Sequence, residues 1–226
     1  MRLIKKTLKW IVVAFFASTI LSVVALRFLP VVVTPLMLIR CYQQLQAGEE
    51  LKLSHDWEPL TNISKDLPVA VMASEDAKFL EHHGFDYQAI EHAAQRNREH
   101  PEKRKLGAST ISQQTAKNVF LWPGRSWVRK GFEVYFTALI ELLWPKQRIM
   151  EVYLNSIEMG DGIYGAEAVA EEHFNTDALS LTRSQCALIA ATLPNPRKFS
   201  SKNPSDYMRK RQARIEREMK FVAPFK

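Results

Sequence analysis

Cysteine is nearly missing from this 226-residue chain: Cys41 and Cys186 stand apart, with no CxxC pair and no metal-ligand spacing around them. A cysteine-based metal or redox module is thereby excluded, while pairing of the two in an oxidising compartment stays open. Runs of four or more alternating apolar and polar residues are also lacking, so the part beyond the N-terminal apolar segment is expected to be mainly α. Acids are absent from two stretches. Residues 1–40 hold six cations and no carboxylate, and residues 103–130 hold seven cations (Lys103, Arg104, Lys105, Lys117, Arg125, Arg129 and Lys130) and none either. The formal charge of +7 therefore sits at the two ends, +6 in residues 1–40 and +7 in 197–226, against −6 between them. Anionic lipid accounts for basic ends on a membrane-tethered chain, and a nucleic-acid partner is not expected. The acid-free run at 103–130 is different: it reads as a local anion site.

What is there begins with residues 10–26, an uncharged run of 17 residues, followed after Arg27 by a second apolar stretch punctuated by Pro30 and Pro35. That length spans a bilayer. Arg2, Lys5, Lys6 and Lys9 precede it, which places the N-terminus in the cytoplasm and everything after about residue 40 outside. A cleaved signal peptide has the same layout, but no small-x-small site with a polar sequel follows Ala25, so an uncleaved single-pass anchor in the cytoplasmic membrane is the reading adopted. The expected organisation is a cytoplasmic N-terminus over 1–9, an anchor and exit segment over 10–39, a juxtamembrane connector over 40–66 and one globular domain over 67–226.

Within that domain, Glu75 and Asp76 are expected in mid-helix, in an element opening near Pro68 and ending at Gly84. Val71, Glu75, Phe79 and His82 would form one row along it. At the edge of an apolar face, Glu75 would be desolvated toward the pKa of a useful base. A second helix is expected over 87–99 with Ile90, Ala93 and Ala94 inward. Thr110 and Gln113 form a Thr-x-x-Gln capping box for a third, which puts Gln113, Gln114, Lys117 and Leu121 on one face beside free N–H groups. Ser126 caps a long helix to about Trp144, with Arg129, Lys130 and Glu133 on adjoining faces near its start. Further helices are expected over 146–155, 166–174, 183–193 and 206–222, with 158–165 as a tight glycine-containing loop.

Five stretches together resemble the monofunctional biosynthetic peptidoglycan transglycosylases, a glycosyltransferase module also found in bifunctional penicillin-binding proteins. They are Glu75-Asp76-x-x-Phe79-x-x-His82-x-Gly84; Gly107-x-Ser109-Thr110-x-x-Gln113-Gln114 with Lys117 and Asn118; Arg129-Lys130-x-x-Glu133; Arg148-Ile149-x-Glu151-x-Tyr153-Leu154-Asn155; and the Ala187 to Pro196 region. Each motif alone is weak, but five in order over about 120 residues are specific. Ala108 departs from a frequent second Gly, and 171–174 is more acidic than the usual aromatic pair.

The resemblance implies a lysozyme-like α domain with a small membrane-proximal lobe, acting on lipid II and the growing glycan strand. The acceptor's GlcNAc 4-hydroxyl would attack C1 of the donor's MurNAc with inversion, and polyprenyl pyrophosphate would leave. The roles that follow are Glu75 as base, Lys117, Arg129 and Lys130 around the departing pyrophosphate, and Glu133 assisting the leaving group or orienting Arg129. Ser109, Thr110, Gln113, Gln114 and Asn118 would bind and position substrate. Asp76 joins that group with a lower rank, and both it and Glu151 suit structural hydrogen bonding. No motif demands a cofactor, although a divalent cation can bridge pyrophosphate and carboxylates without dedicated ligands. Membrane lipid and wall-synthesis or division proteins are candidate partners. Two other readings compete. A lytic transglycosylase would need no pyrophosphate site, and a non-catalytic scaffold would need neither Glu75 nor Glu133.

Overall fold

The structure, a computed structural model, describes residues 2–103, 105–124 and 126–225; Arg104 and Arg125 of the expected cation run lie outside them. Helix α1, Arg2–Leu26, has 25 residues, about 37 Å at 1.5 Å per residue, and from Leu3 onward is apolar enough to cross a bilayer. It is not an isolated rod. Near its end Thr19 Oγ1 lies 2.8 Å from Tyr135 Oη, the Trp144 indole N–H donates to Val23 O at 2.8 Å, and Arg148 donates to Leu26 O at 2.8 Å and to Leu29 O.

Helix α2, Pro35–Ala47, starts inside the expected exit segment, because Thr34 caps it and Pro35 suits a first helical position. The following stretch is built into the fold rather than hanging free. Strand β1, Ser54–His55, pairs with a later strand, and Glu58 exchanges backbone hydrogen bonds with the Asn155 amide.

Helix α3, Asp66–Glu75, corrects the expected element: it stops at Glu75, and residues 77–83 are turns. Asp76 leaves helical geometry (φ −165°, ψ 75°). Its carboxylate accepts from the Ile111 N–H at 2.9 Å and contacts His82 Nε2 at 2.9 Å. A side chain tied to distant groups on two sides competes with continuation of the helix. Val71, Glu75, Phe79 and His82 are therefore not one helical row, although Phe79 is fully buried. Gly84 closes the turns at φ +86°, and a Cβ there would come within 2.9 Å of Glu141 and Thr137, so glycine is required twice over.

Helix α4, Tyr87–Glu99, is capped by Asp86 and lies along the surface; only Ala93 is buried, while the expected inward residues Ile90 and Ala94 are exposed. Helices α5 (Ile111–Phe120), α6 (Trp127–Leu143) and α7 (Lys146–Ser156) begin and end close to expectation, α5 with the Thr110–Gln113 capping box in place. Residues 158–165 are a hairpin rather than a loop. Strands β2 (Glu158–Gly160) and β3 (Ile163–Tyr164) pair antiparallel, with β1 parallel on the other side of β3. Strands this short carry no readable alternation.

Helices α8 (Ala166–Phe174), α9 (Arg183–Thr192) and α10 (Asp206–Glu218) complete the chain, α10 ending short of the expected Val222. Residues 186–192 of α9 are wholly buried between α3 and α10, while α5 packs on α6 and α7. One apolar core thus backs a cleft whose walls are the C-terminus of α3, the N-terminus of α5 and the start of α6. Cys41 and Cys186 are free thiols.

Candidate active site

Glu75 ends α3 with its side chain largely covered. Ser74 Oγ lies 2.9 Å from Oε1, Gln114 Nε2 donates to Oε2 at 3.3 Å, and the Arg211 guanidinium stands 3.8 Å from Oε1. Burial raises the carboxyl's pKa; the Ser74 and Gln114 hydrogen bonds and the charges of Arg211 and Lys117 pull against it. A desolvated carboxylate held by weak contacts is suited to accepting a proton.

The first turn of α5 fixes the neighbouring wall. Thr110 accepts from the Gln113 N–H at 3.2 Å and donates to Gly84 O at 2.7 Å, while Gln113 Oε1 accepts from the Thr110 N–H at 3.1 Å. Thr110 and Gln113 are buried, so both side chains are engaged in building the cap. Asp76 lines the same cleft, but its buried carboxylate is engaged by Ile111 and His82, a positioning geometry. Gln114 is placed differently: its amide N–H meets Glu75 while its Oε1 accepts from the Tyr153 hydroxyl at 3.2 Å. Tyr153 is fully buried, which holds its hydroxyl protonated and available as that donor.

One turn further along α5 stands Lys117, and across from it the start of α6. Arg129 donates to Glu133 Oε2 at 2.7 Å, and Lys130 pairs with Oε1. Glu133 is almost entirely buried, and two cationic partners offset the cost of placing a carboxylate there. The Lys117 ammonium makes neither a hydrogen bond nor an ion pair with any described residue. Burial lowers its pKa most, Glu133 pulls it up, and Arg129 and Lys130 push it down again. An unpaired ammonium beside a guanidinium is an arrangement that takes an anion.

These two centres line adjoining cavities. One, of about 720 Å³, contains Glu75, Asp76, Ser109, Thr110, Gln114 and Arg211. The other, of about 650 Å³, contains Ser109, Gln114, Lys117, Asn118, Leu121 and Arg129. Ser109, Gln114 and Pro194 belong to both, so the cavities are halves of one cleft. Of the acid-free run, Lys117, Arg129 and Lys130 converge at Glu133. Lys103 instead lines a separate surface cavity with His92 and His100, and Lys105 is exposed.

Arg211 is the residue that sequence reasoning missed. Its helix reads as a basic lipid-facing amphipath, yet Arg211 turns inward and donates to Ser74 Oγ at 3.0 Å. Nothing local distinguishes it from the exposed Arg209 and Lys210. Apart from Tyr153, which reaches Gln114, the polar residues of the fourth motif lie away from the cleft: Arg148 and Glu151 pair at 2.8 Å, Glu151 accepts from the Leu60 N–H, and Asn155 holds Glu58. They brace the anchor exit and the 57–62 segment against α7. Among the described residues, no three His, Cys, Asp or Glu side chains cluster as a metal site.

The profile of the family described as Transglycosylase matches residues 43–220. This chain belongs to that family. A protein of Bacteroides thetaiotaomicron is 61% identical over 225 residues, covering 98% of this chain and 90% of its own. Others from Bdellovibrio bacteriovorus and Stutzerimonas stutzeri are 54% and 49% identical over 92% and 96% of this chain, covering 83% and 87% of their own. All three are named biosynthetic peptidoglycan transglycosylase. The helical domain described above is thus the lysozyme-like transglycosylase domain, and its match begins within α2.

Proposed function

We infer that this chain is a peptidoglycan glycosyltransferase that polymerises lipid II into glycan strands by β(1→4) MurNAc–GlcNAc bonds, releasing polyprenyl pyrophosphate. Family membership and three relatives bearing that name support the reaction class. The observation that carries the mechanism is the split cleft: a desolvated carboxylate in one half, a lysine unpaired among the described residues and an arginine in the other, and Gln114 between them.

In this reading the acceptor lies over Glu75, which takes the proton of the attacking 4-hydroxyl. The donor's pyrophosphate lies against Lys117 and Arg129, which meet the charge that grows as the C1–O bond breaks. Glu133 orients Arg129 and Lys130 toward it. Ser109 and Gln114, common to both halves, flank the reacting centre, and Asn118 lines the donor half. Asp76, Thr110 and Gln113 act through the shape of the α3–α5 junction. Should the pyrophosphate carry a divalent cation, Glu158 is the carboxylate that lines this half of the cleft, while Glu133 lies buried behind Arg129 and Lys130. Attack from the face opposite the leaving group converts the α linkage to β, with the base in one half of the cleft and the cations in the adjoining half.

Helix α1, with cations ahead of its apolar run, supports a single-pass inner-membrane anchor with the domain outside. Purified full-length protein incubated with lipid II tests the reading. Polymer supports it; cleaved glycan from preformed strands would point to a lytic enzyme, and no product to a scaffold.

A further inference from the structure

The donor half of the cleft extends past Arg129 to a group of residues outside the five motifs. Among the described residues, eight buried side-chain polar atoms lack a hydrogen-bond partner, and four belong to residues lining this one cavity: Arg40 Nε, Asn118 Nδ2, Arg129 Nε and Glu158 Oε1. Buried polar groups left unpaired are costly, so such a concentration needs a reason. Asn118 and Arg129 lie in the part already assigned to the donor. Arg40, on α2, and Glu158, on β2, do not.

Glu158 is 5% exposed, and burial raises its pKa, with Arg40 and Arg197 opposing and the Gly162 N–H adding a weak pull the same way. Its Oε2 meets the Arg40 guanidinium at 3.6 Å, much looser than the 2.7 Å Arg129–Glu133 pair. The neighbouring Trp122 lines the same cavity with 44% of its surface exposed. A carboxylate acceptor, a guanidinium donor and a partly exposed indole are what a sugar ring takes: hydroxyls and an acetamido group to the polar pair, its C–H face to the ring.

We propose that Arg40 and Glu158, with Trp122 lining the same cavity, form a further sugar subsite at the donor end of the cleft, holding hydroxyl and acetamido groups of the growing strand. The proposal rests on the glycosyltransferase reading for its substrate. The Arg40 guanidinium donates to Gln43 Oε1 at 2.9 Å but holds Glu158 only loosely, so its Glu158 side can meet a hydroxyl without losing a tight bidentate contact. A pair serving only to clamp α2 to β2 would leave saccharide affinity unchanged when altered.

The probe is tetra-N-acetylchitotetraose, which is uncharged and so gains no ionic attraction from Lys117 and Arg129. Titrated into the detergent-solubilised full chain, it should bind the parent protein and bind Glu158→Gln and Arg40→Gln at least fivefold more weakly, with inorganic pyrophosphate affinity unchanged. In polymerisation of lipid II the same variants should release shorter strands. Arg40 is partly exposed, so its variant decides the matter should Glu158→Gln fail to fold. Absence of chitotetraose binding to the parent, or equal binding by Arg40→Gln, overturns the subsite while polymerisation by the parent keeps the glycosyltransferase reading intact. A parent that binds the saccharide without polymerising would instead sink that reading.

Discussion

Replacing Glu75 by Gln separates catalysis from stability in a way the geometry specifies. Removing a general base costs roughly 10²–10⁴ in rate, or about 2.7–5.5 kcal/mol of transition-state stabilisation at about 1.36 kcal/mol per decade. The fold should hardly notice. An amide of the same shape keeps the Ser74 contact at 2.9 Å, and Arg211 keeps its own bond to Ser74 at 3.0 Å. The long Gln114 contact at 3.3 Å is lost, a cost of about 0.5–1.5 kcal/mol, against which stands relief from burying a charge.

The pH dependence has a definite sign. Burial holds the folded-state pKa of Glu75 above its ordinary value of 4.5. Between those two values the unfolded chain has lost a proton that the folded chain keeps, so the contribution of Glu75 to stability falls as pH rises through the window. The Gln variant lacks that decline. Its melting temperature relative to the parent should therefore climb from about pH 4 toward neutrality, while polymerisation of fluorescent lipid II, followed on gels, collapses and binding of a pyrophosphate-bearing lipid II analogue persists. Retained polymerisation would remove Glu75 as the base. A melting temperature depressed equally at every pH would show that the side chain is a structural support instead.

Burial gives Lys117 a lowered pKa, so it discharges at lower pH than a free lysine, and donor binding should fail on the alkaline side accordingly. Lys117→Arg, which stays charged, should extend the alkaline limb of kcat/KM upward; an unmoved limb would assign it elsewhere. Asp76→Ala strips partners from the buried Ile111 N–H and His82 and should cost roughly 2–4 kcal/mol, visible as a drop in denaturant midpoint that Glu75→Gln does not share. Gly84→Ala forces a side chain into φ +86° and to within 2.9 Å of Glu141 and Thr137. It should cost roughly 1–3 kcal/mol by thermal melting; a neutral outcome would mean the turn relaxes freely.

The helices were legible because their starts carry chemistry that acts locally. Thr34, Asp86, Thr110, Ser126, Thr182 and Ser205 each accept a hydrogen bond at a helix start, and three of those six, Thr110, Ser126 and Thr182, were read from sequence. Where α3 ends was not legible, because the residue that terminates it is held by Ile111, 35 positions away. The β1–β3 pairing failed for the same reason: a two-residue strand exists only through its partner across the fold. In the site, Glu75, Gln114, Lys117, Arg129 and Glu133 could be read because motif spacing places them on helix faces. Arg211 and Glu158 could not, since each reaches the cleft from an element whose own pattern points only to its packing.

Reaction at this cleft demands that opposite charges stay near but apart. A base paired tightly to a cation would be too weakly basic, and a phosphate site filled by a carboxylate would repel its ligand. Glu75 feels Arg211 at 3.8 Å rather than at hydrogen-bond distance, and its close contacts are neutral, Ser74 and Gln114. Glu133 occupies Arg129 and Lys130 from the buried side and leaves Lys117 unpaired among the described residues. Gln114 keeps the halves distinct, because its two ends are committed to Glu75 and Tyr153. An amide there transmits no net charge, and a buried Tyr153 hydroxyl fixes which way it faces. With Lys117 on the same helix one turn away, the distance from proton acceptor to leaving-group site is set by α5 itself, the least deformable ruler the fold provides.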